Sequence, residues 1–281
     1  MVRLFEIIKR NFFNYNFFIY IFLIWNSFKL YFIESDPIIQ ILNLLLSIGI
    51  YFCIEDKNLR LTSKRRIDVL IGIIGISFTI FRSLLLNNVG DKYYYLNLPI
   101  GIFCMLIIFR PFNEFIYLKK IFFISLLLPL RRVFFELANY IFTFLIPSFT
   151  WFVLFCLGKN PILDGENIFI GNHQIIVGSN CLGADNLYFV LATLIIYSCI
   201  FRLRKTNNLR IIFLSSIVIS ILINIIRNTL LALIVSSNSK YKENLFYFLH
   251  ESLGSLAFSF FSVLIISTIY FKLLNKELDP N

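Results

Sequence analysis

A chain of 281 residues that is 58% hydrophobic, with a mean hydropathy of +0.80, is too apolar for a soluble domain, whose apolar share is about half. Apolar runs long enough to cross a hydrocarbon core of about 30 Å recur along it, so an all-α polytopic membrane protein is expected; open strands at that depth would leave backbone groups unpaired. The formal charge of +10 is accounted for by basic residues beside membrane helices, which excludes nucleic acid as a partner.

In chain order, about eight spans are predicted, at roughly 12–33, 37–54, 67–86, 96–109, 133–157, 182–201, 211–235 and 246–271. Arg3, Lys9 and Arg10 before the first of them mimic a signal peptide. The stretch that follows is long, has no small-residue cleavage site and is followed by more spans, so it reads as an uncleaved first helix. The connecting segments alternate in charge. One set holds nineteen lysines and arginines, in clusters around Lys9, Lys64, Lys119 to Arg132, Arg204 and Lys272, and the other set holds four: Lys92, Lys159, Lys240 and Lys242. The positive-inside rule then puts both termini in the cytoplasm.

Ile121 to Leu130 is apolar but bounded by Lys119-Lys120 and Arg131-Arg132. At about 1.5 Å per residue it is too short to cross, and it reads as a re-entrant or interfacial element. A crossing there would reverse every later loop and bring the cysteine of interest inside the cell. The loop Gly158 to Asn180 carries Ile168-Phe169-Ile170 and Gln174-Ile175-Ile176-Val177 on either side of Gly171-Asn172, which predicts a small hairpin on the outer surface.

Four cysteines, Cys53, Cys104, Cys156 and Cys199, lie in or at the ends of apolar runs, where cysteine acts as a small hydrophobe. Cys181 stands where a polar loop turns into a helix, and no CxxC spacing indicates a metal or redox pair, so neither metal nor cofactor is expected. With Ser179 or Asn180 as N-cap, Cys181 would sit in the first turn of the sixth span, where amide groups and the helix dipole favour a thiolate. Each unit of pKa lowering is worth about 1.4 kcal/mol.

Arg227 lies eight residues before Val235, about 12 Å below the end of the seventh span. Keeping a guanidinium there costs roughly 3 kcal/mol or more without a partner. Asn224, one turn earlier, shares its face and is placed to orient it. His250 near the start of the eighth span supplies a proton carrier near neutral pH, with Glu251 next to it and Gly254 one turn on. Its competitor, His173, falls in the hairpin and reads as solvated. Asp185, one turn beyond Cys181, would orient His250 or Arg227, or cap the helix end towards solvent. Arg82 reads as snorkelling. A thiol, a base and a cation at one membrane face form the set that acyl transfer needs.

From about Leu126 to Lys272 the chain resembles the exosortase and archaeosortase family of multi-pass cysteine transpeptidases. The family's Ala-Cys-Ser-Gly motif appears as Asn180-Cys181-Leu182-Gly183, its Asn-x-x-Arg motif as Asn224-Ile225-Ile226-Arg227, and its late His followed by Gly as His250 to Gly254. Phe246 to Ser255 is also similar to cyanobacterial members. Leu182 departs from the usual serine, a position that is not the nucleophile. The resemblance divides the chain into N-terminal helices without a recognisable motif (1–120), an exosortase-like catalytic membrane core (121–272) and a cytoplasmic tail (273–281).

What the resemblance implies is a plasma-membrane enzyme that processes secreted proteins ending in a short motif, a membrane helix and a basic tail, docked laterally among spans and lipids. Cys181 would attack the scissile carbonyl on the extracytoplasmic side, Arg227 would stabilise the oxyanion, and His250 would protonate the leaving amine, with Asn224, Gly183, Gly254 and Asp185 in support. An envelope lipid or glycan amine, or water, would release the acyl-enzyme. The rival class is a non-catalytic transporter or assembly factor for surface polymers, in which Arg227 binds an anionic headgroup; the absence of inverted repeats weighs against it. A third reading, a structural membrane protein with no site, predicts that no cysteine is preferentially reactive.

Overall fold

The computed structural model describes residues 15–34, 36–55, 66–85, 94–109, 119–237, 240–250 and 252–278. The basic residues Arg3, Lys9, Arg10, Lys57, Arg60, Lys64, Arg65 and Arg110, together with Lys92, Glu251 and the tail beyond Leu278, lie outside the described residues. Two compact units divide the chain, Met1–Leu130 and Arg131–Asn281.

The first unit holds α1 (Tyr15–Ile33), α2 (Pro37–Glu55), α3 (Arg66–Leu85), a 3-10 turn (Tyr94–Leu96) and α4 (Asn97–Phe109). Pro37 opens α2 where no backbone donor is needed, and the Asp36 carboxylate accepts the Ile38 N–H at 2.9 Å, which caps the helix. α1 and α2 join through a polar ladder: the Asn26 amide donates to Asn43 at 3.2 Å, and the Asn43 amide donates to Ser27 at 3.2 Å. Such bonds hold helices together where lipid removes the hydrophobic drive between them.

Helix α5 (Lys119–Cys156) runs unbroken for 38 residues, about 57 Å. This corrects two expectations, since the short element Ile121 to Leu130 and the fifth span are one helix. Arg131 and Arg132 do not end it because each is neutralised. Arg131 Nη2 lies 2.8 Å from Asp185 Oδ1, and Arg132 Nε lies 3.4 Å from Glu136.

In the second unit α5 is followed by β1 (Ile162–Asp164), β2 (Asn167–Ile170) and β3 (His173–Ile176), a 3-10 turn (Ser179–Cys181), α6 (Ala184–Ile200), α7 (Thr206–Val235), α8 (Lys242–His250) and α9 (Ser252–Leu278). The expected hairpin is present, with Gly171 at φ 57 in its two-residue turn and Ile170 opposite His173. It gains a third antiparallel strand in the order β1-β2-β3. One row of α5, Ala138, Phe142, Ile146 and Leu154, packs with Ile168 and Ile170 of β2 and with Val177, Leu182, Ala184 and Leu187. The four α5 positions recur at intervals of four and eight residues, the period that lines one helical face.

The buried row of α7 is polar: Ser216, Ser220, Asn224, Arg227 and Asn228. Small and polar side chains let neighbouring helices approach and bond across the contact, and Asn186 of α6 donates to the Ser220 carbonyl at 3.3 Å. At the opposite end from the site, the Glu277 carboxylate of α9 accepts the Arg204 N–H at 2.6 Å, the Lys205 N–H at 3.2 Å and the Asn208 side-chain amide at 2.6 Å. A foreign carboxylate thus caps α7, the role usually filled by a residue of the helix itself.

The eighth expected span is two helices. α8 ends at His250 and α9 starts at Ser252; a Cβ at Gly254 would come within 2.4 Å of the Phe248 carbonyl oxygen and 2.5 Å of Leu249 Cα. Only glycine fits that turn. By length and composition Ile67–Leu85, Thr206–Val235 and Gly254–Leu278 are able to cross a membrane, and four further apolar helices are shorter. The molecule is an all-α membrane protein carrying one small sheet among its described residues.

Candidate active site

Cys181 closes the 3-10 turn and is 6% exposed. Its position differs from the expected one: α6 begins at Ala184 with Gly183 as N-cap, and neither Ser179 nor Asn180 caps that helix. Cys181 therefore precedes the first helical turn, and the anticipated dipole stabilisation of its thiolate falls away. Burial pushes the Cys181 thiol up from its ordinary value, and the charge of Arg227 pulls it partly back.

What fixes this turn is α7. The side-chain amides of Asn224 and Asn228 each donate to the Cys181 carbonyl at 2.9 Å. They stand one helical turn apart on the same face, so two donors converge on both lone pairs of one oxygen. Gly183 is required beside them, because its φ is +84 and a Cβ would come within 2.5 Å of Asn224 Cγ. Asn224 thus orients the cysteine turn rather than Arg227, and Asn228 is a member that the sequence reading missed. The signal was available, since Asn228 follows Asn224 by four positions.

Arg227 is 4% exposed. Its Nη2 donates to the His250 carbonyl at 3.1 Å and its Nε to the Leu249 carbonyl at 3.4 Å. These are the terminal carbonyls of α8, at the negative end of its dipole, where a cation is favoured. Two of the five guanidinium N–H groups are used in this way. The same contact fixes His250, whose exposed ring stacks on Phe246 with centroids 5.1 Å apart and an angle of 16°. His173 lies in β3 instead, within the hairpin where it was expected.

A cavity of about 240 Å³ brings Cys181, Asn228 and His250 together, while Arg227 and Asn224 are not among its lining residues. Cys181 and His250 both line it, with Gln174, Ile175, Ile176 and Val177 of β3 on one side and Asn228, Leu231 and Val235 of α7 on another. Gln174 is a second residue the sequence reading did not single out. Asp185 is used differently from the expectation that it would serve His250, Arg227 or solvent, because it faces Arg131 at 2.8 Å. The pair ties α5 to the first turn of α6.

Among known proteins, the family model described as transmembrane exosortase (Exosortase_EpsH) matches residues 33–267. No curated protein and no solved structure matches the chain. Since the match takes in Cys181, the asparagine pair, Arg227 and His250 along with most of the helices, the chain belongs to the transmembrane exosortase family.

Proposed function

We propose that the protein is a membrane-embedded cysteine endopeptidase or transpeptidase that cleaves C-terminal sorting signals of secreted proteins on the extracytoplasmic side. Its family processes secreted substrates bearing such signals and is generally one of cysteine proteases or transpeptidases. The observation that carries the finer reading is the cavity lined by both Cys181 and His250, with the Arg227 charge acting on the thiol.

In this mechanism the buried thiol is protonated at rest, and His250 takes its proton as the sulfur attacks the scissile carbonyl. The tetrahedral oxyanion is met by the N–H groups of Arg227 that its two carbonyl bonds leave over. Collapse breaks the C–N bond, His250 returns the proton to the leaving amine, and a thioester remains on Cys181. An envelope amine or water then attacks the thioester. Asn224, Asn228 and Gly183 hold the nucleophile's turn, Gly254 permits the bend that presents His250, and Asp185 neutralises Arg131.

The outward orientation, with both termini in the cytoplasm and about eight spans in the plasma membrane, rests on the charge asymmetry of the connecting segments. Residues 121–272 form the catalytic part in this reading. The test is expression of Cys181→Ala and Cys181→Ser beside wild type with a tagged secreted protein ending in a polar motif, an apolar helix and a basic tail. Cleavage by wild type and loss in both variants is expected, while continued cleavage by the alanine variant rules out thiol catalysis. A phenotype that survives Cys181→Ala and fails with Arg227→Leu would support a transporter or assembly factor instead.

A further inference from the structure

The ladder between β2 and β3 fixes which backbone groups of β3 are used. Val177 donates its N–H to the Glu166 carbonyl at 2.9 Å, and the register runs Asn167 with Ile176, Ile168 with Ile175, Phe169 with Gln174 and Ile170 with His173. Antiparallel pairs alternate between hydrogen-bonded and non-hydrogen-bonded positions. Val177, Ile175 and His173 therefore turn their N–H and C=O groups to β2, and Ile176 and Gln174 turn theirs the other way. With strand order β1-β2-β3, that outer side is the edge of the sheet, and neither backbone has a partner among the described residues. An unpaired edge is a template for another extended chain.

This edge belongs to the strand that walls the Cys181 cavity, from Gln174 to Val177. The rest of the lining is the apolar Leu231, Val235 and Phe246 together with Cys181, Asn228 and His250. A cavity lined by an edge strand, apolar side chains and a nucleophile suits an extended peptide, with the scissile bond beyond the last paired residue. We infer that the outer edge of β3 is a strand-addition site for the recognition segment of the polypeptide substrate, pairing with the N–H and C=O groups of Gln174 and Ile176 and delivering its backbone to Cys181. The inference rests on the peptidase reading above. The edge recognises about three residues of main chain, at about 3.3 Å each, and leaves sequence preference to the apolar lining residues.

Proline separates the two sides of the strand, because it deletes one N–H and is accepted on an edge strand when that N–H points outward. Ile176→Pro and Gln174→Pro remove outward donors, whereas Ile175→Pro breaks the ladder to β2 and serves as the misfolding control. The readouts are cleavage of the tagged secreted protein and the rate at which iodoacetamide alkylates Cys181. The expected result for Ile176→Pro is a roughly tenfold fall in kcat/KM, the scale of one lost hydrogen bond, with alkylation unchanged. If proline also alters alkylation, the α-hydroxy acid analogue of isoleucine at 176 removes the same N–H with little change of shape, and the same criterion applies. Cleavage at the wild-type rate in both outward variants overturns the inference while leaving the enzyme reading intact. Cleavage by Cys181→Ala overturns both.

Discussion

Replacing Asn224 and Asn228 with alanine, singly and together, tests whether one carbonyl holds the cysteine turn. Both amides donate to the Cys181 oxygen at 2.9 Å from positions that are 3% exposed. Either single change removes one bond but leaves the oxygen satisfied by the other, at a net cost of about 0.5–1.5 kcal/mol. The double change leaves a buried carbonyl without its side-chain donors, which adds about 1–3 kcal/mol of desolvation not counted in either single. The cycle is therefore expected to be non-additive by about 1 kcal/mol or more. Intrinsic tryptophan fluorescence of the detergent-purified protein reads this as a Tm, at about 2–4 °C per kcal/mol for a chain approaching this size. The double variant is expected to melt at least that far below the sum of the singles and to alkylate faster at Cys181. Additivity within about 0.5 kcal/mol would refute the shared-acceptor account.

Because burial holds the Cys181 thiol above its ordinary value and Arg227 opposes that shift, its alkylation rate is expected to climb with pH past the point where an exposed cysteine has levelled off. Arg227→Leu removes the opposing charge and moves the profile to still higher pH; a profile that moves lower contradicts the assigned cause. Gly183→Ala brings together a φ of +84 and a 2.5 Å approach to Asn224. It is expected to cost about 1–3 kcal/mol and to show as a lower Tm or loss of purifiable protein. Asp185→Ala strands the Arg131 guanidinium, so the double Asp185→Ala/Arg131→Leu is expected to be more stable than the single; the reverse order of Tm values contradicts the pair. Glu277→Gln weakens the cap on α7 without touching the cavity, so Tm is expected to fall while Cys181 alkylation at fixed pH is unchanged.

Much of the fold could be read from apolar runs alone, since a helix in lipid satisfies its own backbone and announces itself by length. The hairpin was equally legible, because Gly171-Asn172 supplies local turn chemistry between alternating residues. What escaped depends on partners distant in the chain. Arg131 and Arg132 look like a helix boundary until Asp185, far along the sequence, is brought against the first of them. The break after His250 has no proline to mark it; it is held by Arg227 from another helix and allowed by Gly254. Cys181 was assigned a helix-dipole environment because Ser179 and Asn180 have the composition of caps, whereas the left-handed conformation at Gly183 delays the helix by a turn. Asn224 and Asn228 share a face with Arg227 in the sequence, but their common acceptor, the Cys181 carbonyl, lies more than forty residues away, and helical spacing alone does not reveal it.

The Glu277 carboxylate ties the end of α9 to the start of α7, and the Arg227 guanidinium ties the other end of α7 to the last carbonyls of α8, the helix that leads into α9. From Asn208 to Arg227 α7 advances about 28 Å, and α9 runs about 38 Å from Ser252 to Glu277. The frame works like a caliper whose jaws are set by its far screw. Inserting one residue midway along α9 would turn Glu277 by about 100° and shift it about 1.5 Å, so that keeping one fastening means giving up the other. Point changes along α9 are tolerable in such a frame, but its length is not free to drift.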